Sequence, residues 1–442
     1  MSPSSAASSS VPASGLVQHL RATLLDLHAH PYPTITNPPN VPRRASVALV
    51  LRIQPHHAHF PPESSTPLAD SQFVSGAGRI SAFFEQDWAA HGDPEVLFIK
   101  RAARSGDKWT SHIAFPGGRR DPEDADDEAA AVRETWEEVG LRLSEEVAVP
   151  AGNLPQRVVT ASWGKKPLMV LCPYIYLLTT PDTPTLRLQP TEVASTHWVP
   201  LRALLSPAQR TYWYQDIASR VAKTDLGMKF HQLAVGDMMF AAVRLVPSET
   251  KHCTSIAEFL PDEPIHAERD TTNLTVPLFG VPKTPPRPVD GPLLLWGLSL
   301  GVMGDLLDML PPYTAFQAWT YPTFTAPDIK LVLWILSYRF RARKQKEIER
   351  GRRAVPAVEL GLDSIAFTDD GGHPSSVGID GLGVGRYYGR VRQDAQGTRS
   401  ETVGVLLQGY YDIILWAVPV AFALRATVAA AVGYACWRKL KR

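Results

Sequence analysis

Three glutamates, Glu134, Glu137 and Glu138, lie within one short stretch of this 442-residue chain. Placed on a helical wheel at about 100° per residue, they fall on one side. Ala129, Val132, Trp136 and Val139 fall on the other, an apolar stripe expected to face the core. Side chains three and four apart on a helix are neighbours, with Cβ atoms about 5–6 Å apart. Carboxylates held that close repel one another unless a cation sits among them. Hard cations take oxygen ligands, and Mg²⁺ usually combines a few carboxylates with substrate phosphates and water. The chemistry expected is that of a metal-dependent enzyme acting on a phosphorylated substrate. The alternative is a solvated acidic helix face.

The elements that must hold these groups are legible around them. Asp124, Asp126, Asp127 and Glu128 crowd the helix start, where the macrodipole favours anions. Gly140 suits a left-handed cap at its end. Ile113 to Phe115 reads as a short strand delivering Gly117 and Gly118, a turn that lets backbone approach a ligand closely. Arg133, beside three acids, is expected to orient one of them through a charge-assisted hydrogen bond. Arg104, Lys108, Arg119 and Arg120 are candidate partners for phosphates, or plain surface charges.

The run from Phe115 to Leu141, FPGGRRDPEDADDEAAAVRETWEEVGL, resembles the Nudix box, G-x5-E-x7-R-E-U-x-E-E-x-G-U with U aliphatic. Arg133, Glu134, Glu137, Glu138, Gly140 and Leu141 carry the match. The first acidic position falls on Ala125, the loop is one residue longer than the pattern, and Thr135 stands where an aliphatic is usual. Asp124 is therefore given no ligand role. The GGRRDPxD wording resembles the coenzyme A diphosphatase branch.

The resemblance implies an α+β Nudix fold, a mixed β-sheet sandwiched between helices. It implies Mg²⁺ or Mn²⁺ held by Glu134, Glu137 and Glu138, which double as the catalytic carboxylates, with a backbone carbonyl at Gly118 joining the metal shell. It further implies cleavage of coenzyme A or acyl-CoA to 3′,5′-ADP and a 4′-phosphopantetheine product. Other nucleoside-diphosphate substrates (ADP-ribose, dinucleotides) and a membrane-tethered, non-catalytic nucleotide-binding module are the alternatives. Glu192 is a further metal or base candidate, or an ordinary strand-end residue. No substrate-binding residues are assigned. Trp163, Tyr212, Trp213 and Tyr214 read as aromatic core, with base stacking the alternative.

The rest of the chain concerns architecture and location. The net charge of +1 offers no field for nucleic acid, and three distant cysteines form neither a metal pair nor a disulfide framework. Residues 1–42 are expected to be a disordered lead, although Gly15 to Leu27 has the pattern of a short amphipathic helix. The Nudix domain is expected over 43–310, with Ala45 to Ile53 its first strand and Leu168 to Thr179 a buried strand or two pieces broken at Pro173. Leu293 to Leu310 is read as its closing helix. His56, His57 and His59 read as a surface loop, with a metal site the alternative. Residues 311–408 are expected to be a linker carrying an apolar-then-basic interfacial segment at 329–353, with Val355 to Thr402 polar and Gly-rich. Residues 409–442 are expected to anchor the protein in a membrane, the Nudix domain cytosolic; Arg425, near the middle of that apolar run, costs about 2.5–3.5 kcal/mol on insertion scales.

Overall fold

The computed structural model describes residues 13–61, 76–103, 111–161, 166–216, 234–248, 292–311, 321–353, 407 and 409–441. Arg104, Lys108, Trp163 and the Gly-rich stretch from Val355 to Thr402 lie outside the described residues.

The α+β architecture is organised on β1 (Arg44–Gln54), at the centre of a mixed sheet ordered β3-β2-β1-β7-β5. β1 runs antiparallel to β2 (Asp93–Arg101) at one end and to β4 (Gly117–Arg119) at the other, and parallel to β7 (Lys166–Leu178) along its other edge. β3 (Ile113–Ala114) and β8 (Val193–Pro200) pair with β2, and β5 (Ala148–Asn153) and β6 (Arg157–Ala161) with β7. Alternation along β1 sends Leu49, Leu51 and Ile53 to one face and Ala48 and Val50 to the other, so the strand feeds two core layers. The first layer takes α1 (Ala13–Ala29) and α2 (Gly76–Glu85); the second takes α4 (Asp127–Val139). The short α3 (Asp87–Ala90) leads into β2.

Pro173 does not break β7. It sits where the antiparallel partner changes, between Leu171, paired with Arg157 of β6, and Tyr174, paired with Asn153 of β5. At that gap its missing N–H leaves no antiparallel ladder bond unmade, and its carbonyl still accepts from Leu154 N–H at 3.0 Å.

Two expectations are corrected. Residues 1–42 are not all disordered lead: Leu16, Leu20, Leu24 and Leu27 of α1 are buried against the sheet, and Tyr32 N–H donates to the Asn153 side chain at 2.8 Å. Leucines recurring every three or four residues make a stripe wide enough to dock. Second, Tyr212 and Tyr214 are not core. They lie on β9 (Arg210–Gln215), each 41% exposed, while Trp213 between them turns inward to stack on Trp296 with ring centres 5.0 Å apart.

β9 belongs to a second sheet with β10 (Met238–Arg244), β11 (Leu294–Trp296) and β12 (Thr323–Phe324). The Leu293–Leu310 run thus divides into β11 and α6 (Gly297–Leu307), which is buried in the main core as expected of a closing helix. Its Asp305 is ion-paired with Arg157, both side chains almost fully buried.

α5 (Leu201–Leu205) follows β8. The C-terminal part is built from α7 (Pro327–Arg353) and α8 (Tyr410–Leu440), which cross antiparallel. Ile329, Val332, Leu333 and Phe340 of α7 pack with Tyr410, Ile414, Ala417 and Ala421 of α8 and with Met238 and Phe324 of the second sheet. Arg425 binds the Asp328 carboxylate through two nitrogens at 2.5 and 2.6 Å.

Candidate active site

The site is assembled where β2 parts from β1. β4 takes the vacated edge, Ser46 opposite Gly118 and Val47 opposite Gly117. Only glycine fits at the Gly117 position. Gly117 has φ +147°, and a Cβ on it would lie 2.3 Å from the Ser46 carbonyl oxygen. A Cβ on Gly118 would lie 2.5 Å from both Glu134 carboxylate oxygens. Bare backbone is thereby held against an acid.

α4 is capped at both ends. The Asp126 side chain accepts from Ala129 N–H at 2.7 Å, and Gly140, at φ +67°, closes the last turn. Its buried face is rotated from the apolar stripe of the wheel: Val139 is buried and Val132 packs against the core, but the rest of the stripe gives way. Trp136 is 47% exposed, with Arg142 over its ring at 4.9 Å, whereas Ala131, Thr135 and Glu138 point inward. Thr135 tolerates that position because its hydroxyl donates to Ala131 carbonyl at 2.7 Å.

The three glutamates differ. Glu138 is 2% exposed and accepts from Gly117 N–H at 2.9 Å. Burial pushes its carboxyl up to about 7, helped by the charges of Glu134 and Glu192 and opposed by the Gly117 bond and Arg101. Glu134 is half-buried beside it; burial raises its carboxyl too, against the pull of Arg133. Glu137 is the exposed member and accepts from Arg133 at 2.9 Å.

Arg133 is a hub. Its Nε and Nη2 each lie 2.9 Å from the Asp124 carboxylate, Nη2 reaches the Arg119 carbonyl at 3.0 Å, and Nη1 reaches Glu134 at 3.3 Å and Glu137. The hydrogen bond that the guanidinium donates to Asp124 foremost raises its pKa, and the same bond holds the Asp124 carboxyl below the usual range. Asp124 is thereby a support for Arg133.

Arg120 is committed elsewhere, to Asp127 at 3.2 Å and to the carbonyls of Asp124 and Ala125. Arg101 went unmarked in the sequence, although its charge bears on Glu138. Its only signal is its place at the end of the VLFIKR strand. Glu192 acts electrostatically on both Glu134 and Glu138, which sets it at the same mouth. Two clefts of about 600 and 460 Å³ flank the start of α4 but include none of the three glutamates.

The donor set is oxygen only: two carboxylates that burial foremost, and then their neighbours' charge, raises against ionisation, a third exposed beside them, and a glycine backbone pressed against one. This set fits Mg²⁺ or Mn²⁺, which take hard oxygen ligands.

A model of the NUDIX domain matches residues 88–220. A protein of Schizosaccharomyces pombe, itself uncharacterized, is 33% identical over 263 residues, 58% of this chain and 70% of its own length. The chain belongs to the Nudix family. The family relation makes this a hydrolase of pyrophosphate bonds. The human mitochondrial coenzyme A diphosphatase is 40% identical over 58 residues, 13% of this chain; the chain spans only 25% of that protein. A MutT/nudix protein structure from Enterococcus faecalis overlaps 45% of this chain and 57% of its own at 16% identity, with a TM-score of 0.23, too slight to carry an argument.

Proposed function

We propose that this Nudix hydrolase cleaves the diphosphate of coenzyme A or its acyl derivatives, with Glu134, Glu137 and Glu138 as the catalytic and metal-holding carboxylates. The observation that carries the reading is Glu138, buried, tied to the Gly117 N–H and poised near neutrality beside Glu134. The limited likeness to the human coenzyme A diphosphatase, with the GGRRDPxD wording, supports the substrate.

Bound Mg²⁺ or Mn²⁺ would orient the diphosphate and lower the pKa of attacking water. Glu134, Glu138 and the Gly118 carbonyl are the groups that would hold it, with Glu137 completing the shell. Whichever of the three carboxylates is not engaged by the ion would take the proton water loses as it attacks phosphorus. The P–O bond of the diphosphate breaks, releasing 3′,5′-ADP and a 4′-phosphopantetheine product. Arg133 fixes the orientations of Glu134 and Glu137, and Asp124 fixes Arg133. Turnover of the purified full chain on coenzyme A, compared with ADP-ribose and dinucleotides, tests the assignment. Preference for either of the latter two contradicts it.

The raised carboxyl of Glu138 also gives a stability signature. Its folded pKa of about 7 lies above the ordinary carboxyl value of 4.5, so the fold holds a proton that the unfolded chain releases. Its contribution is complete below about 4.5 and is lost as pH rises through about 7. In chelator, the thermal midpoint is expected to fall across this window, and Glu138→Gln is expected to flatten the fall. A midpoint with the same pH slope in both proteins contradicts the assignment.

We also place the protein on a membrane, with the Nudix domain cytosolic. α8 is long and apolar enough to cross a bilayer. Trp416 and Trp437 are 71% and 51% exposed, and every residue of the helix beyond Arg425 is exposed. Leu331, Trp334, Ile335 and Tyr338 of α7 extend the apolar surface alongside. Asp328 supplies the countercharge that Arg425 needs there. Because residues up to Ala421 are packed against the body, ending the chain after Arg425 removes the exposed half without opening that core. The shortened protein is expected to lose carbonate-resistant membrane association. Retention in the membrane pellet, or a full-length chain already soluble, defeats the anchor.

A further inference from the structure

We propose that His59, Asp87 and His91 form a second metal site, for a divalent ion of the zinc class, apart from the carboxylate centre on α4. The sheet register brings them together. β1 ends with Gln54 opposite Asp93 of β2, so the segment leaving β1 and the segment entering β2 emerge at the same point. His59 ends the 3-10 turn His57–His59 just after β1. Asp87 opens α3 and His91 closes it, just before β2. The α4 centre lies at the opposite end of β1, beside Ser46. From Ser46 to Gln54 the strand extends roughly 26 Å at about 3.3 Å per residue.

Both rings turn the same nitrogen to one carboxylate. His59 Nδ1 lies 2.6 Å from Asp87 Oδ2, and His91 Nδ1 lies 3.1 Å from Oδ1. The rings are stacked, centres 4.1 Å apart and planes within 9°. The three donor atoms all lie within 4.8 Å of one another. Two imidazole nitrogens and a carboxylate oxygen suit Zn²⁺ and its neighbours, with a fourth position left for water. The carboxylates of α4 make the contrasting all-oxygen set. Hydrogen bonds and ion pairs on an exposed carboxylate contribute little by themselves. With the rings turned out of their stack so that both nitrogens converge, a single divalent ion would satisfy both rings and the carboxylate at once. It would also reinforce the contact between the turn after β1 and α3. Binding only the folded form, it would stabilise that form by mass action.

The test uses the full chain without a histidine tag, stripped with chelator and titrated with Zn²⁺ against a chromophoric competitor. One equivalent is expected to bind, unaffected by excess Mg²⁺, and to raise the thermal midpoint. His59→Ala and His91→Ala should each weaken that equivalent by at least the roughly 10–100-fold that losing even a supporting group costs a metal site, and abolish the midpoint rise. His57→Ala, outside the donor set, and Glu138→Gln, in the other centre, should keep both. The inference is independent of the diphosphatase reading, since Zn²⁺ binding is read without substrate. It is overturned if the wild-type chain binds no Zn²⁺, or if His91→Ala retains the equivalent at full affinity.

Discussion

Glu138→Gln is expected to lower Mg²⁺-dependent diphosphate turnover by roughly 10²–10⁴-fold, the scale of a lost general base. The change is nearly isosteric, so the buried position stays filled and the amide oxygen can still accept from Gly117 N–H. What disappears is the charge that would take a proton or hold an ion. Folding should survive, because the substitution removes a carboxyl that burial already disfavours as an ion. Initial rates alongside circular dichroism check both halves. Glu137→Gln should also lose turnover without loss of stability, since that carboxylate is exposed. A Glu138→Gln enzyme as fast as wild type would remove α4 from the chemistry.

Asp305→Ala is expected to destabilise the main domain by about 3–5 kcal/mol, the cost of leaving one half of a buried ion pair uncompensated. Arg157 and Asp305 are almost wholly buried, on β6 and α6, and join the sheet to the closing helix. Replacing both with apolar residues of similar size, Arg157→Met with Asp305→Leu, should recover most of the loss, because the pair itself contributes little net stability beyond a well-packed apolar substitute. Urea midpoints of the three chains decide it. A single variant as stable as wild type would mean that the pair is not desolvated.

The acidic helix α4 was legible because its signals agree: acids at the start, an arginine among the glutamates, glycine at the stop. β1 was legible from its β-branched run. The orientation of α4 was not. A wheel assumes that apolar residues face the core and charged ones face water. Here the function puts Glu138 into the core and leaves Trp136 outside under Arg142. A local rule fails at the site because the site needs a buried carboxylate. The role of Asp124 was also hidden, since the loop is one residue longer than the family pattern and only the fold shows its carboxylate engaged by Arg133.

α1 was assigned to a disordered lead because Ser, Ala and Pro dominate the first residues; the leucine stripe beyond them outweighs that composition once a sheet is there to receive it. His59 and His91 are distant in sequence, and only the β1–β2 register joins them. Arg425 read as an isolated charge for the same reason, its partner Asp328 lying on another helix.

The most direct test of the central claim is turnover of the purified full chain on coenzyme A with Mg²⁺ and with chelator, the products resolved by chromatography. The account predicts 3′,5′-ADP and 4′-phosphopantetheine in equal amounts with Mg²⁺ and neither in chelator. Turnover that persists in chelator, or no Mg²⁺-dependent cleavage of coenzyme A, would contradict it.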